Sequence, residues 1–220
     1  MNIGQNPIAR QSRREQILAA AWKCFYRRGI HATSMEKIIR EAGLSAGAVY
    51  LYYKGKNDLI LAAISTYMER LRDLFVPILT EEEPLPPLAL IHEITSVMTK
   101  FTRSTKIDLN SIILMCWSES QTNEAVKALI SGFQVNYRAA LTKLVGKWEK
   151  RGELESASDP KDVAKVLLSF FHGFIVQSAL LGELDPETVT RGMKGLLGEG
   201  VAAKRDIRPR SPTRMPSSRK

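Results

Sequence analysis

Apolar residues along this chain recur every three or four positions and almost never every two. Between Arg10 and Arg28 they fall at Ile17, Leu18, Ala21, Cys24 and Phe25, one face of a helix that Arg27, Arg28 and Gly29 bring to an end. Thr33 and Ser34 offer an N-cap, and Met35, Ile38, Ile39 and Ala42 make a short second helix that stops at Gly43. Ser45 caps a third helix of two turns, from Ala46 to about Tyr53. Past Gly55 a long fourth helix runs from Lys56 to about Leu79, with Leu59, Ile60, Ala63, Ile64, Tyr67, Leu71 and Leu74 inward.

Pro77 and the run Glu81-Glu82-Glu83-Pro84 with Pro86-Pro87 form an acidic, Pro-rich connector. Helical periodicity then resumes at about 87–103, 107–120, 123–151, 160–182 and 186–200. Asp159-Pro160 and Asp185-Pro186 each place a capping carboxylate before a Pro at the first helical position. With no alternating run, the expected fold is all-α, of about nine helices. Residues 1–55 are expected to form a three-helix helix-turn-helix head, and residues 56–202 a helical-bundle body. Residues 203–220, made of Pro, Ser and Arg with little to bury, read as a disordered basic tail.

Charge sharpens this division. Residues 1–56 carry 10 Lys/Arg against 3 Asp/Glu, and residues 201–220 carry 7 against 1. The stretch between them has 15 basic and 19 acidic residues, so a basic head sits on a mildly acidic body. Such a head suits a polyanion, with nucleic acid as the leading partner and an anionic membrane surface as the rival. Cys24 and Cys116 are too few for a disulfide framework, and the N-terminus lacks the apolar core of a signal peptide. A cytoplasmic protein is expected.

Two short helices joined by a Gly-containing turn in a basic segment make a helix-turn-helix candidate. The second helix of such a pair presents its N-terminal residues to base edges, and here these are Ser45, Ala46 and Gly47, all small. Tyr50, Tyr52, Lys54 and Lys56 follow as phosphate contacts, whereas Tyr53 faces inward. The run from Ile17 to Ile64 closely resembles the N-terminal domain of TetR-family transcriptional regulators. The resemblance rests on Ile17-Leu18-Ala19-Ala20-Ala21, Phe25, Gly29, Thr33-Ser34 and Ile38, then on Ala42 to Gly47, Tyr50 to Tyr53, Lys56 and Leu59. It implies phosphate contacts from Thr33, Ser34, Tyr50, Tyr52 and Lys56, and an all-helical ligand-binding and dimerisation body. The third helix departs from a base-reading pattern in exposing no Arg, Asn or Gln. Specificity is then left to Lys54, to Arg10 or Arg13 in a neighbouring groove, or to DNA shape.

In the body, Val166 to Gly182 is seventeen residues without a charge. A membrane span is one reading, but His172, Gln177 and the short length argue against it. A helix apolar all round needs cover on every side, so 160–182 and 186–200 are expected to build a homodimer. A charge at Phe174 or Leu181 is expected to break it. Phe101, Trp117, Tyr137, Phe171 and His172 are the expected lining of a small-molecule cavity among the bundle helices. His172 has no second His or Cys at ligand spacing, and no metal or cofactor is expected.

Gly43-Leu44-Ser45-Ala46-Gly47 matches the nucleophile elbow of hydrolases, and Ser45, Asp108 and His172 even follow their chain order. That elbow needs a strand before the serine, and a helical pattern stands there instead. An enzyme is not expected. The function read from the sequence is a dimeric, DNA-binding transcriptional regulator, most simply a repressor released from a palindromic operator by a small-molecule inducer. The alternative is a helical dimeric adaptor whose basic head and tail bind RNA or an anionic membrane surface.

Overall fold

The computed structural model describes residues 7–103, 109–154, 158–182 and 184–197. Among the described residues it is built of nine α-helices and no strand. The first four are α1 (Pro7–Arg28), α2 (Met35–Ala42), α3 (Ala46–Tyr50) and α4 (Lys56–Thr80). The rest are α5 (Pro87–Arg103), α6 (Leu109–Glu119), α7 (Glu124–Lys150), α8 (Pro160–Leu181) and α9 (Pro186–Leu197). The tail expected at 203–220 lies outside the described residues.

In the head, α1 packs on α2 and on the start of α4, with Ile17, Ala21, Phe25, Ile38, Val49 and Tyr53 buried together. Caps set where each short helix begins and ends. The Ser34 Oγ accepts the Lys37 N–H (3.4 Å) and the Ser45 Oγ accepts the Ala48 N–H (3.2 Å), each meeting a donor that the first turn leaves unpaired. Between them Gly43 adopts φ 66°, a left-handed conformation that costs an L side chain about 1–2 kcal/mol. Gln16 on α1 donates to the Ala42 carbonyl (2.8 Å), tying the end of α2 to its neighbour. The third helix is shorter than expected. It ends at Tyr50 rather than Tyr53, and Leu51 and Tyr52 form a turn that frees the chain to enter α4.

On α4 the inward stripe is Leu59, Ile60, Ala63, Ile64, Tyr67, Met68 and Leu79. Leu74, expected inward, is half-buried and lies outside the buried cluster, while Leu71 and Phe75 pack against it. The stripe has rotated to the i, i+4 spacing of 71, 75 and 79 where α4 leaves the head and joins the bundle. Pro77 sits within the last turn of the helix, exposed, where a missing N–H disturbs little.

The Pro-rich connector is held by the end of α7. Lys147 donates to the Glu81 and Glu82 carbonyls, Trp148 Nε1 to the Leu85 carbonyl (2.8 Å) and Arg151 to the Pro84 carbonyl (2.8 Å). In the body α7 packs on α4 and α8, α6 on α8, and α5 on α9. By length and composition alone, α8 could cross a bilayer. One side of it is nevertheless packed in the protein through Ala164, Leu167, Phe171, Phe174 and Ile175. Phe174, only 4% exposed, belongs to this inner side. The expectation that it lies on a dimer face is corrected: it is buried with Phe171 and Ile175, whereas Leu181, in the last turn of α8, is 65% exposed.

Trp148 is the largest fully buried side chain, and its ring anchors both α7 and the connector. Trp148→Ala should cost about 3–5 kcal/mol, read as a lowered urea midpoint, through the cavity left and the unpaired carbonyl of Leu85. An unchanged midpoint would show that the connector is held some other way.

Candidate nucleic-acid interface and body cavity

The tip of the head is a capped, five-residue helix of mostly small residues, held to the core by one buried side chain. Val49 is fully buried, while Ser45, Ala46 and Gly47 on the opposite side are exposed. Just after the helix Tyr53 is 2% exposed, with the Arg14 guanidinium 5.8 Å over its ring, so both ends of the tip are fixed to the head core. Tyr50 is exposed and Tyr52 half-buried. Lys54 is exposed, and its backbone N–H donates to the Asp58 carboxylate (3.0 Å), which turns the chain into α4. Lys56 reaches back to the His31 carbonyl (3.0 Å) with one of its three N–H donors.

Ser34 is exposed at the start of α2, on the rim of the same head. Thr33 beside it is not available to a phosphate. It is 2% exposed, and its hydroxyl donates into the Gly29 carbonyl (2.8 Å), with the Cys24 carbonyl at 3.2 Å. The phosphate role expected for Thr33 is therefore corrected to a structural one: its side chain closes the α1–α2 turn. Arg10 is exposed, and Arg13 donates to the Gln16 side chain (2.9 Å).

A cavity of about 90 Å³ lies in the body. Met68, Leu71, Phe75 and Leu79 form its α4 wall, and Trp117 on α6 faces His172 on α8 with ring centres 5.1 Å apart. Phe133, Gln134, Tyr137 and Leu141 line it from α7, and Leu168, Phe171 and Ile175 from α8. Four of the five expected residues, Trp117, Tyr137, Phe171 and His172, are thus brought together. Phe101 is not. Its ring lies 6.2 Å from that of Tyr67, which in turn meets Trp22 of α1 at 6.1 Å, so Phe101 belongs to an aromatic stack joining head and body.

The residue that the sequence reading passed over is Gln134. It stands one turn before Tyr137 on an otherwise apolar face, and a lone amide at that spacing is the signal that was there to be read. Its Nε2 lies 3.0 Å from His172 Nε2, while its Oε1 and the Tyr137 hydroxyl are buried without a partner. Burial pushes the Tyr137 phenol well up and lowers the His172 pKa. The hydrolase-like trio is not one site. Ser45 caps α3 at the exposed tip, His172 lines the body cavity, and Asp108 lies outside the described residues. No group of three or more His, Cys, Asp or Glu able to hold a metal occurs among the described residues.

Two family descriptions fit the two parts of the chain. Residues 17–63 match bacterial regulatory proteins of the tetR family, and residues 96–199 match the C-terminal part of BetI-type transcriptional repressors. This chain belongs to the TetR family. The HTH-type transcriptional regulator TtgR of Pseudomonas putida is 26% identical over 183 residues, spanning 78% of this chain and 82% of that protein. A TetR transcription regulator from Haloarcula marismortui superposes with a TM-score of 0.70 at 21% identity, over 86% of this chain and 97% of that one. AibR, solved with isovaleryl coenzyme A and operator DNA, gives 0.63 at 18% identity, over 84% and 97%. As a TetR-family member the chain is a DNA-binding transcriptional regulator with a ligand-binding C-terminal part, and the adaptor alternative finds no support.

The lowered His172 pKa has a measurable consequence. The folded protein holds that proton less tightly than the unfolded chain, whose His titrates near 6.5, so stability falls as pH drops through that value. Between about pH 7.5 and about pH 5.5 the urea midpoint of the parent should fall further than that of His172→Gln. Equal falls would mean that the ring is not held neutral by burial.

Proposed function

We propose that this regulator is a cytoplasmic, homodimeric repressor that grips a palindromic operator with its two heads and is released when a small molecule enters the body cavity. The head is residues 1–55 and the body 56–202. Ser45, Ala46 and Gly47 approach the base edges, while Ser34, Tyr50, Tyr52, Lys54 and Lys56 hold phosphates. The observation that carries this reading is the exposed small-residue tip anchored by the buried Val49 and Tyr53. A surface without bulk lets backbone approach the duplex closely, and a tip fixed at both ends keeps its register on it. Ser34 and Ser45 each accept a cap bond on a lone pair, which leaves the hydroxyl hydrogen for a phosphate oxygen.

The partner surface is the outer side of α8 with α9. Val166, Leu180 and Leu181 on α8 and Leu196 on α9 are 68%, 71%, 65% and 83% exposed, apolar side chains that a partner chain would cover. A twofold axis through them presents the two heads to one face of a duplex.

Release is a coupling between cavity and head. Leu71, Phe75 and Leu79 line the cavity from the same rigid helix whose first turn carries Lys56. A second route runs through α6. Trp117 lines the cavity, and two residues on the buried Glu119 sets its Oε2 3.5 Å from the His31 ring in the α1–α2 loop. Glu119 Oε1 also accepts from Asn123, whose amide nitrogen lies 3.4 Å from Asn57 Oδ1 at the start of α4. A difference of about 1–3 kcal/mol between the two arrangements changes operator affinity roughly 5–150-fold.

Tyr50→Ala combined with Lys56→Ala should weaken binding to an operator selected from random duplexes about tenfold or more, and should flatten the salt dependence by about one counterion. Unchanged affinity and slope would remove both residues from the interface. Leu180→Glu with Leu181→Glu should give a helical monomer by sedimentation velocity and circular dichroism. A persistent dimer would place the interface elsewhere.

A further inference from the structure

We propose that the body cavity takes an uncharged phenol, its ring among the aromatic walls and its hydroxyl hydrogen donated to Gln134 Oε1. The assignment rests on the reading that this cavity is the effector site.

Charge narrows the ligand first. The cavity lining holds no Asp, Glu, Lys or Arg. A carboxylate or an ammonium ion would shed its water there and find no counter-charge, which disfavours it steeply. His172 does not fill that gap. With the Gln134 amide N–H donating, its Nε2 is an acceptor, so the ring proton sits on Nδ1 and the imidazole is neutral. The lowered pKa of this buried ring agrees with that state.

Unmet polar capacity narrows it further. One end of the Gln134 amide is satisfied by His172, and the other, Oε1, is buried with nothing to accept from. The Tyr137 hydroxyl, one helical turn along α7, is buried and unpartnered as well. A buried acceptor left unpaired costs about 1–3 kcal/mol, which a ligand recovers only by bringing a donor. An ether or a ketone brings none. A hydroxyl brings one hydrogen for Gln134 and lone pairs for Tyr137.

The walls of the cavity favour a ring. Phe75, Trp117, Phe133, Tyr137 and Phe171 surround the cavity from four helices, and Phe75 and Tyr137 meet edge to face at 6.5 Å. Rings favour ring neighbours in such offset and edge contacts. Hence the hydroxyl is carried on an aromatic ring.

Calorimetry on the full chain with four single-ring probes tests this: phenol, anisole, benzoate and the trimethylphenylammonium cation. The phenol should bind at least tenfold tighter than each of the other three. Gln134→Leu should bring it down to the affinity of the anisole, and Tyr137→Phe, a milder change to the packing, should lose part of the same preference. Circular dichroism shows that each variant is folded. Equal binding of the anisole, the anion or the cation would overturn the assignment, as would unaltered preference in folded variants. Parallel titrations of the protein on its selected operator keep two failures apart. Operator binding with no uptake of any probe overturns the phenol assignment alone. Preferred uptake of phenol that leaves operator binding unchanged supports the assignment and overturns the effector reading.

Discussion

Helix α4 is buried at both of its ends, and in different company at each. Near its start Leu59, Ile60 and Ala63 are sealed in the buried cluster that also holds the head, and near its finish Phe75 and Leu79 form a wall of the body cavity. Twenty-five helical residues span roughly 38 Å at the usual rise per residue. A packed helix does not bend to order, because its side chains sit in close-packed neighbours at every turn. Anything that pushes on its far end must therefore shift or tilt it as a unit, and the head goes with it. The Trp22–Tyr67–Phe101 stack lies where α1, α4 and α5 meet and makes that joint tight.

The α6 route adds a polar latch to this apolar lever. Among the described residues Glu119 is the one buried carboxylate, and it meets the loop between α1 and α2 directly and the first turn of α4 through Asn123. Lys56 donates to the backbone of His31, the residue whose ring faces Glu119. Head, α4 and α6 thus meet at one place, where small displacements change several hydrogen bonds together. Close-packed apolar contacts set the two ends of α4, and the polar junction ties its start to the α1–α2 loop and to α6.

Most of this architecture was legible in the sequence. Caps at Ser34, Asp159 and Asp185, glycine stops and the 3.6-residue periodicity placed the helices to within a few residues. The charge division sets a basic head apart from a mildly acidic body. What failed did so for reasons of tertiary geometry. Thr33 looked like a surface cap because its burial depends on carbonyls nine and four residues earlier, Cys24 and Gly29. Phe101 and Tyr137 share an aromatic character but not a neighbourhood, and periodicity within one helix does not say which neighbour a ring meets. Phe174 and Leu181 lie seven residues apart on the same apolar helix, and only packing shows that the body covers the first and leaves the second in water. Gln134 was overlooked because a single amide on a long helix gains meaning only once His172 stands beside it.

In the proposed complex the tip at Ser45–Gly47 enters the duplex while the body stays off it. Both native cysteines are buried, so a thiol introduced at Ala46 can carry an iron chelate that cleaves nearby DNA, with Lys143→Cys on the exposed face of α7 as the control. On a selected operator, the chelate at position 46 should cut at two places about one helical turn apart, and the control should cut nowhere. Cleavage spread evenly along the duplex, or equal cleavage from both positions, would contradict the account.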